Sequence, residues 1–175
     1  MLVASLLGLA CAAALWWIYF DAAAHYGEQA LAAEPAETRP KLARDAYTFL
    51  HFPMVAGIVL LALGLKKVLE YVGDTEHHDL GDPLKGVALY ALFFGVALYL
   101  LGHVGFRWRT THAVGASRLV TAGFCVVAAF ALAKAPALVQ LGVLTVLLAA
   151  LVGFESIWYA QERDELRHRH TSPSS

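Results

Sequence analysis

Arg44, Tyr47 and His51 recur at i, i+3 and i+7, the spacing that puts three side chains on one face of a helix. They cover about 10 Å of helix at 1.5 Å per residue. Tyr99, His103 and Arg107 repeat the idea at i, i+4 and i+8. Asp21 follows one apolar run and Glu155 closes another, while Trp17 stands in an aromatic stretch just before Asp21. Imidazole changes charge near neutral pH, and ionisable groups set in apolar segments mark proton and ion paths. The first chemistry these residues suggest is therefore a proton or ion relay through His51 with Asp21 or Glu155. A second is redox or metal chemistry, with His51 and His103 ligating a haem or metal. A third is purely structural, with Asp21 paired to Arg44 and Glu155 to Arg107 as glue between helices. The residues themselves assign no cofactor or metal, and no enzyme activity is indicated.

The elements that must position these groups are apolar. Of 175 residues, 59% are hydrophobic and 15% charged, where a soluble domain carries about 25% charge. The net charge of −1 gives no electrostatic grip on nucleic acid. Five runs approach membrane-crossing length: Leu2 to Phe20, Ala46 to Leu65, Val87 to Phe106, Ser117 to Ala133 and Leu138 to Phe154, the last extending toward Tyr159. They are rich in Ala and Leu and lack period-two alternation, which excludes strands. The fold expected is an all-α polytopic membrane bundle of about five helices in one domain over residues 1–170, with a disordered tail over 171–175. The first run is not read as a signal peptide, because no Lys or Arg precedes it.

Local punctuation marks the helix ends. Asp82-Pro83 predicts a helix start, with a capping oxygen followed by proline. Arg39-Pro40 predicts that the second helix begins ahead of its apolar run. Lys134-Ala135-Pro136 divides the last apolar stretch into two helices. Pro53 removes one backbone donor and frees the carbonyl of Phe49, predicting a kink just beyond His51. Gly57 and Gly64, seven apart, give this helix a smooth face suited to close packing. Cys11 and Cys125 lie in apolar runs and read as small packing residues. Glu76-His77-His78-Asp79 is rich in metal-ligand types, but adjacent histidines diverge, so it reads as a solvated loop. No Walker loop, dinucleotide fingerprint, nucleophile elbow or metalloprotease motif occurs.

Charge sets the expected orientation. Nine Lys and Arg fall in loops and the tail on one side of the five runs, Arg39, Lys41, Arg44, Arg107, Arg109, Arg118, Arg163, Arg167 and Arg169, against four on the other, Lys66, Lys67, Lys85 and Lys134. The positive-inside rule puts the nine in the cytoplasm, with the N-terminus outside. His51 and His103 then lie at comparable depth near the cytoplasmic leaflet, with Asp21 and Glu155 at that level.

The stretch Trp16-Trp17-Ile18-Tyr19-Phe20-Asp21 resembles the tryptophan-rich segment of the bacterial low-temperature-requirement A family. The segment from Arg44 through Tyr47 to His51, then Pro53 and Gly57-Ile58-Val59, resembles the family's next helix. Gly102-His103-Val104-Gly105-Phe106-Arg107-Trp108-Arg109 and the closing Glu155 are similar to its later helices. The resemblance implies an all-helical protein of the bacterial inner membrane, linked to growth in the cold. It carries Trp17, Asp21, Arg44, Tyr47, His51, Arg107 and Glu155 over as candidate functional residues. Family members are about twice this length and begin with an acidic, Phe-rich motif that is not found here. The resemblance thus implies a truncated C-terminal half, whose partners are the lipid bilayer and either the missing N-terminal half or further copies of itself.

Overall fold

A computed structural model describes residues 1–20, 35–111 and 114–171, with the side chains of Leu42, Ala46, Tyr47, Thr111 and all residues after Ile157 left aside. The described chain is helical, in the order α1 (Leu2–Ile18), α2 (Arg39–Arg44), a π-helical turn (Asp45–Phe49), α3 (His51–Gly73), α4 (Val87–Thr111), α5 (Ala116–Ala131) and α6 (Ala137–Thr171). Helix is what an apolar chain must form in lipid, because each backbone N–H and C=O then finds its partner within its own segment. Three helices are long and apolar enough to cross a bilayer: His51–Gly73, Val87–Thr110 and Ala137–Ile157. Large apolar side chains such as Leu9, Phe52, Val59, Phe124, Phe130 and Val146 face outward. The molecule is an all-α membrane bundle with lipid as its outer solvent.

The α4 helix is its axis. Its apolar window is 61% buried, against 28% for α3 and 33% for α6. It packs along α3 on one side and α5 on another, and α6 closes the ring against α1, α3 and α5. The α3–α4 seam is made by glycine. A Cβ at Gly57 would fall 2.5 Å from the Gly95 carbonyl oxygen, and one at Gly64 2.7 Å from Leu92 Cα. From the facing side, a Cβ at Gly95 would fall 2.6 Å from Leu61 N, and one at Gly102 2.8 Å from Met54 Cγ. The backbones touch, as small residues permit in a membrane. Cys11 and Cys125 are both buried free thiols, and Cys11 shares a 3.2 Å hydrogen bond with Thr145 between α1 and α6.

The structure moves several expected boundaries. Of the five apolar runs, Leu2–Ile18 and Ala116–Ala131 form helices of only 17 and 16 residues. At 1.5 Å per residue they are about 24–26 Å long, short of a hydrocarbon core of about 30 Å. The second helix continues past Leu65 to Gly73, because Lys66 and Lys67 turn onto Glu70 at 3.6 and 2.5 Å and stay helical. The last helix runs on to Thr171, and residues 172–175 of the expected tail lie outside the described residues.

Asp82-Pro83 does not start a helix. Its carboxylate is engaged by the Asp79 N–H at 3.2 Å, and its carbonyl accepts the N–H of Ala137 at 2.9 Å. Gly86, at φ 56°, turns the chain left-handed before α4 begins at Val87. The break expected beyond His51 lies ahead of it, where the Leu50 N–H bonds to the Asp45 carbonyl at 3.2 Å in π fashion. Proline at the third residue of α3 needs no helical donor, so the irregularity falls on the turn before it. The α5–α6 break falls where expected, with the Gln140 amide donating to the Leu132 carbonyl at 2.8 Å.

In the loop after α3 the two histidines diverge. The His77 ring lies 3.0 Å from both Asp74 oxygens, and this hydrogen bond holds the Asp74 carboxyl below its ordinary range. His78 stacks on Tyr71 with ring centroids 3.9 Å apart and reaches Asp82 at 3.5 Å.

The glycine seam is testable by substitution. Gly95→Leu forces side-chain atoms into the α3 backbone and should cost at least the roughly 1–3 kcal/mol of overpacking. Gly142→Ala meets nothing within 4 Å and should be neutral or gain up to about 1 kcal/mol from helix propensity. Thermal unfolding in detergent separates the two, and equal effects would contradict the seam.

Candidate functional site

One end of the bundle collects polar side chains from every long element. The end of α1 brings Tyr19, the start of α3 brings His51, and α4 brings Tyr99 and His103. The first turn of α5 brings Ser117 and Arg118, and α6 brings Glu155. The rings interlock. Tyr19 meets His51 at 5.5 Å and His103 at 5.9 Å between centroids, both edge to face, and Tyr99 meets His103 at 4.6 Å. The Tyr99 hydroxyl donates to the Leu15 carbonyl at 2.6 Å. The same carbonyl accepts the Tyr19 backbone N–H, and the added hydroxyl bond ties α1 to α4.

The strongest contact here is ionic. Arg118 is 2% exposed and Glu155 6%. The Arg118 Nε donates to Oε1 at 3.0 Å and to Oε2 at 3.2 Å, and its Nη2 donates to Oε2 at 2.8 Å. The Ser117 hydroxyl donates to Oε1 at 2.8 Å. On its other side, Arg118 Nη1 lies 3.2 Å from His103 Nδ1. Two ring nitrogens in the cluster are buried with no hydrogen-bond partner among the described residues, His51 Nδ1 and His103 Nε2.

Two grooves reach this end from the lipid-facing sides. A cavity of about 380 Å³ between α1 and α3 is lined by Leu15, Trp16, Met54 and Ile58, with Tyr19 and His51 at its polar end. Another of about 630 Å³ lies between α5 and α6, with Arg107, Ser117 and Glu155 at its polar end.

Of the residues singled out from sequence, His51, His103 and Glu155 meet at this end, and Arg107 lines the second groove beside Glu155. The expected Glu155–Arg107 pair is replaced by Glu155–Arg118, because Arg118 projects inward from the first turn of α5. Among the described residues, Arg44 is exposed and reaches its neighbour Asp45, at 3.4 Å. Asp45 is also met by Arg109 at 3.3 Å, which ties the π-helical turn to α4. Trp17 faces outward at 47% exposure, as an aromatic-belt residue does. Asp21 lies outside the described residues, as does the side chain of Tyr47.

Sequence reading misses Arg118, Ser117 and Tyr19. It counts Arg118 as a loop charge, although the signal was available: a lone arginine followed at once by an apolar run, with one free carboxylate at matching depth on another helix. The His51–His103 pair does not fit a haem or metal. A histidine that ligates through Nε2 donates its Nδ1–H to an acceptor. Here Arg118 presents a donor to His103 Nδ1, and the Tyr19 ring contacts both imidazoles.

Removing one member of a buried ion pair strands the other. Arg118→Ala should therefore cost about 3–5 kcal/mol, whereas Arg118→Met with Glu155→Met should recover most of it. Thermal unfolding of the purified protein tests this, and a double variant as unstable as the single one would contradict the pairing.

Residues 1–153 match the family model of the bacterial low temperature requirement A protein. No curated protein and no solved structure matches the chain. The match covers the apolar helices and stops two residues short of Glu155. This chain belongs to the bacterial low temperature requirement A family and is an integral membrane protein of it.

Proposed function

We propose that the chain is a transport protein of the bacterial inner membrane, passing protons or a small ion at the cytoplasmic end of the bundle, with His51 as the group that takes up and releases charge. The observation that carries this reading is His51 itself. It sits where the helical path breaks at the π-helical turn, on the polar end of a lipid-facing groove, with a buried Nδ1 that has no partner among the described residues. Histidine is the residue that changes charge between about pH 5 and 8. Interrupted helices are where membrane transporters hold their ions, and π-bulges recur at functional sites. Glu155 is not a carrier in this scheme, because its oxygens are taken by Arg118 and Ser117. The same satisfied pair favours a structural role for itself, holding α5 to α6.

Charge supports the orientation. With Arg118 withdrawn into the bundle, Lys and Arg at the His51 end still outnumber those at the other end, and that excess favours a cytoplasmic His51 end.

Two measurements test the reading. In proteoliposomes carrying a pH-sensitive dye, the wild type should show pH-dependent proton or cation flux and His51→Ala should lose it. Flux that is unchanged in His51→Ala would remove His51 from the path. In cells, Glu76→Cys should react with an impermeant maleimide from outside and Thr38→Cys only after lysis, and the reverse pattern would invert the topology.

A further inference from the structure

The contact between Arg118 and His103 fixes where a proton sits. A guanidinium has N–H donors and no acceptor. Across the 3.2 Å from Arg118 Nη1, His103 Nδ1 must therefore accept. A neutral imidazole that accepts at Nδ1 carries its hydrogen on Nε2. That nitrogen is buried without a partner among the described residues, on a side chain 1% exposed. Protonating the ring would set an N–H against the N–H of Arg118, beside a fixed positive charge. Deprotonating it would leave an imidazolate in an apolar bundle. The neighbours on the other sides, Tyr19 and Tyr99, present ring contacts, and the Tyr99 hydroxyl is spent on the Leu15 carbonyl. Arg118 cannot swing away, because Glu155 holds it through three N–H···O contacts and Ser117 holds Glu155.

We propose that Arg118, anchored by Glu155, is a positioning residue that locks His103 as an Nε2–H donor, so that this nitrogen pairs with an oxygen acceptor, a carboxylate or a carbonyl, and turns cations away. The proposal deepens the transport reading and rests on it for the premise that a solute reaches this end. The two histidines then act differently. His51 has no arginine contact of this kind among the described residues, whereas His103 keeps one proton in one place and aims it. An unpaired N–H donor in a buried site discriminates strongly, since a ligand without an acceptor leaves it unsatisfied.

The test reads the ring directly rather than flux, so it fails or holds independently of the transport assay. The protein is labelled with ¹³C,¹⁵N-histidine in liposomes and studied by solid-state NMR at neutral pH, with His103→Gln to assign the signal. The expected result is a single neutral Nε2–H tautomer for His103 that Zn²⁺ does not perturb. An Nδ1–H tautomer, a doubly protonated ring or Zn²⁺ bound at His103 in the wild type would overturn the lock. Arg118→Met with Glu155→Met should turn the single tautomer into a mixture that responds to Zn²⁺. The wild-type spectrum decides the matter even where that variant fails to fold. Decanoate and methyl decanoate, a charged and a neutral acceptor that partition into the bilayer, are then added to the wild type. A shift of Nε2 with either one identifies the acceptor class, and no shift with either overturns that half of the proposal.

Discussion

A guanidinium and a carboxylate held together out of water are the constraint around which the polar end is organised. Each alone would be costly in the bundle, and neither is stable there without the other. Arg118 and Glu155 meet with several hydrogen bonds and a serine to complete the acceptor, so the pair is closed on itself. It joins α5, which already packs along α4, to α6. Arg118 Nη1 reaches His103 on α4. One contact thus sets the mutual depth of three helices and the chemistry of an imidazole.

The second constraint is steric. The α3 and α4 backbones approach as closely as glycine allows, at Gly57 and Gly64 on one side and Gly95 and Gly102 on the other. In lipid there is little hydrophobic drive between helices, so this close contact is what fixes their register. The register places His51 near the level of His103, with the Tyr19 ring against both. The Tyr99 hydroxyl on the Leu15 carbonyl then draws α1 into the same layer. The opposite end of the bundle is held by backbone, through the Asp82 carbonyl and the Ala137 N–H, and by ion pairs that remain in solvent. Such exposed pairs contribute little to stability. The molecule is therefore tied firmly at the end that bears the histidines and more loosely at the other.

Much of the fold is legible in the chain because the bilayer narrows the choices. Apolar runs of nearly 20 residues can only be helices there, and Lys134-Ala135-Pro136 separates the last two because proline and charge break an apolar helix. Gly57 and Gly64 announce a close contact, though not that Gly95 and Gly102 would answer them. The depth of His51 and His103 follows from counting residues at about 1.5 Å each. Helix ends are less legible. Asp82-Pro83 has the chemistry of a helix start, but its oxygens are claimed by Asp79 and Ala137, one of them more than fifty residues away in sequence. No local rule contains that competition.

What the sequence determined alone is the class, the count of apolar helices and the identity of the ionisable groups near their ends, because composition and periodicity are local properties that the bilayer reads one segment at a time. What only the tertiary structure decided is who pairs with whom. Glu155 had two arginines within reach of its level, and spacing along separate helices cannot rank them. Helix rotation does, by turning Arg118 inward at the start of α5. From that rotation follow the closed ion pair, the accepting nitrogen of His103 and the buried N–H opposite it. Each depends on the angle between helices, which tertiary packing sets and no single segment encodes.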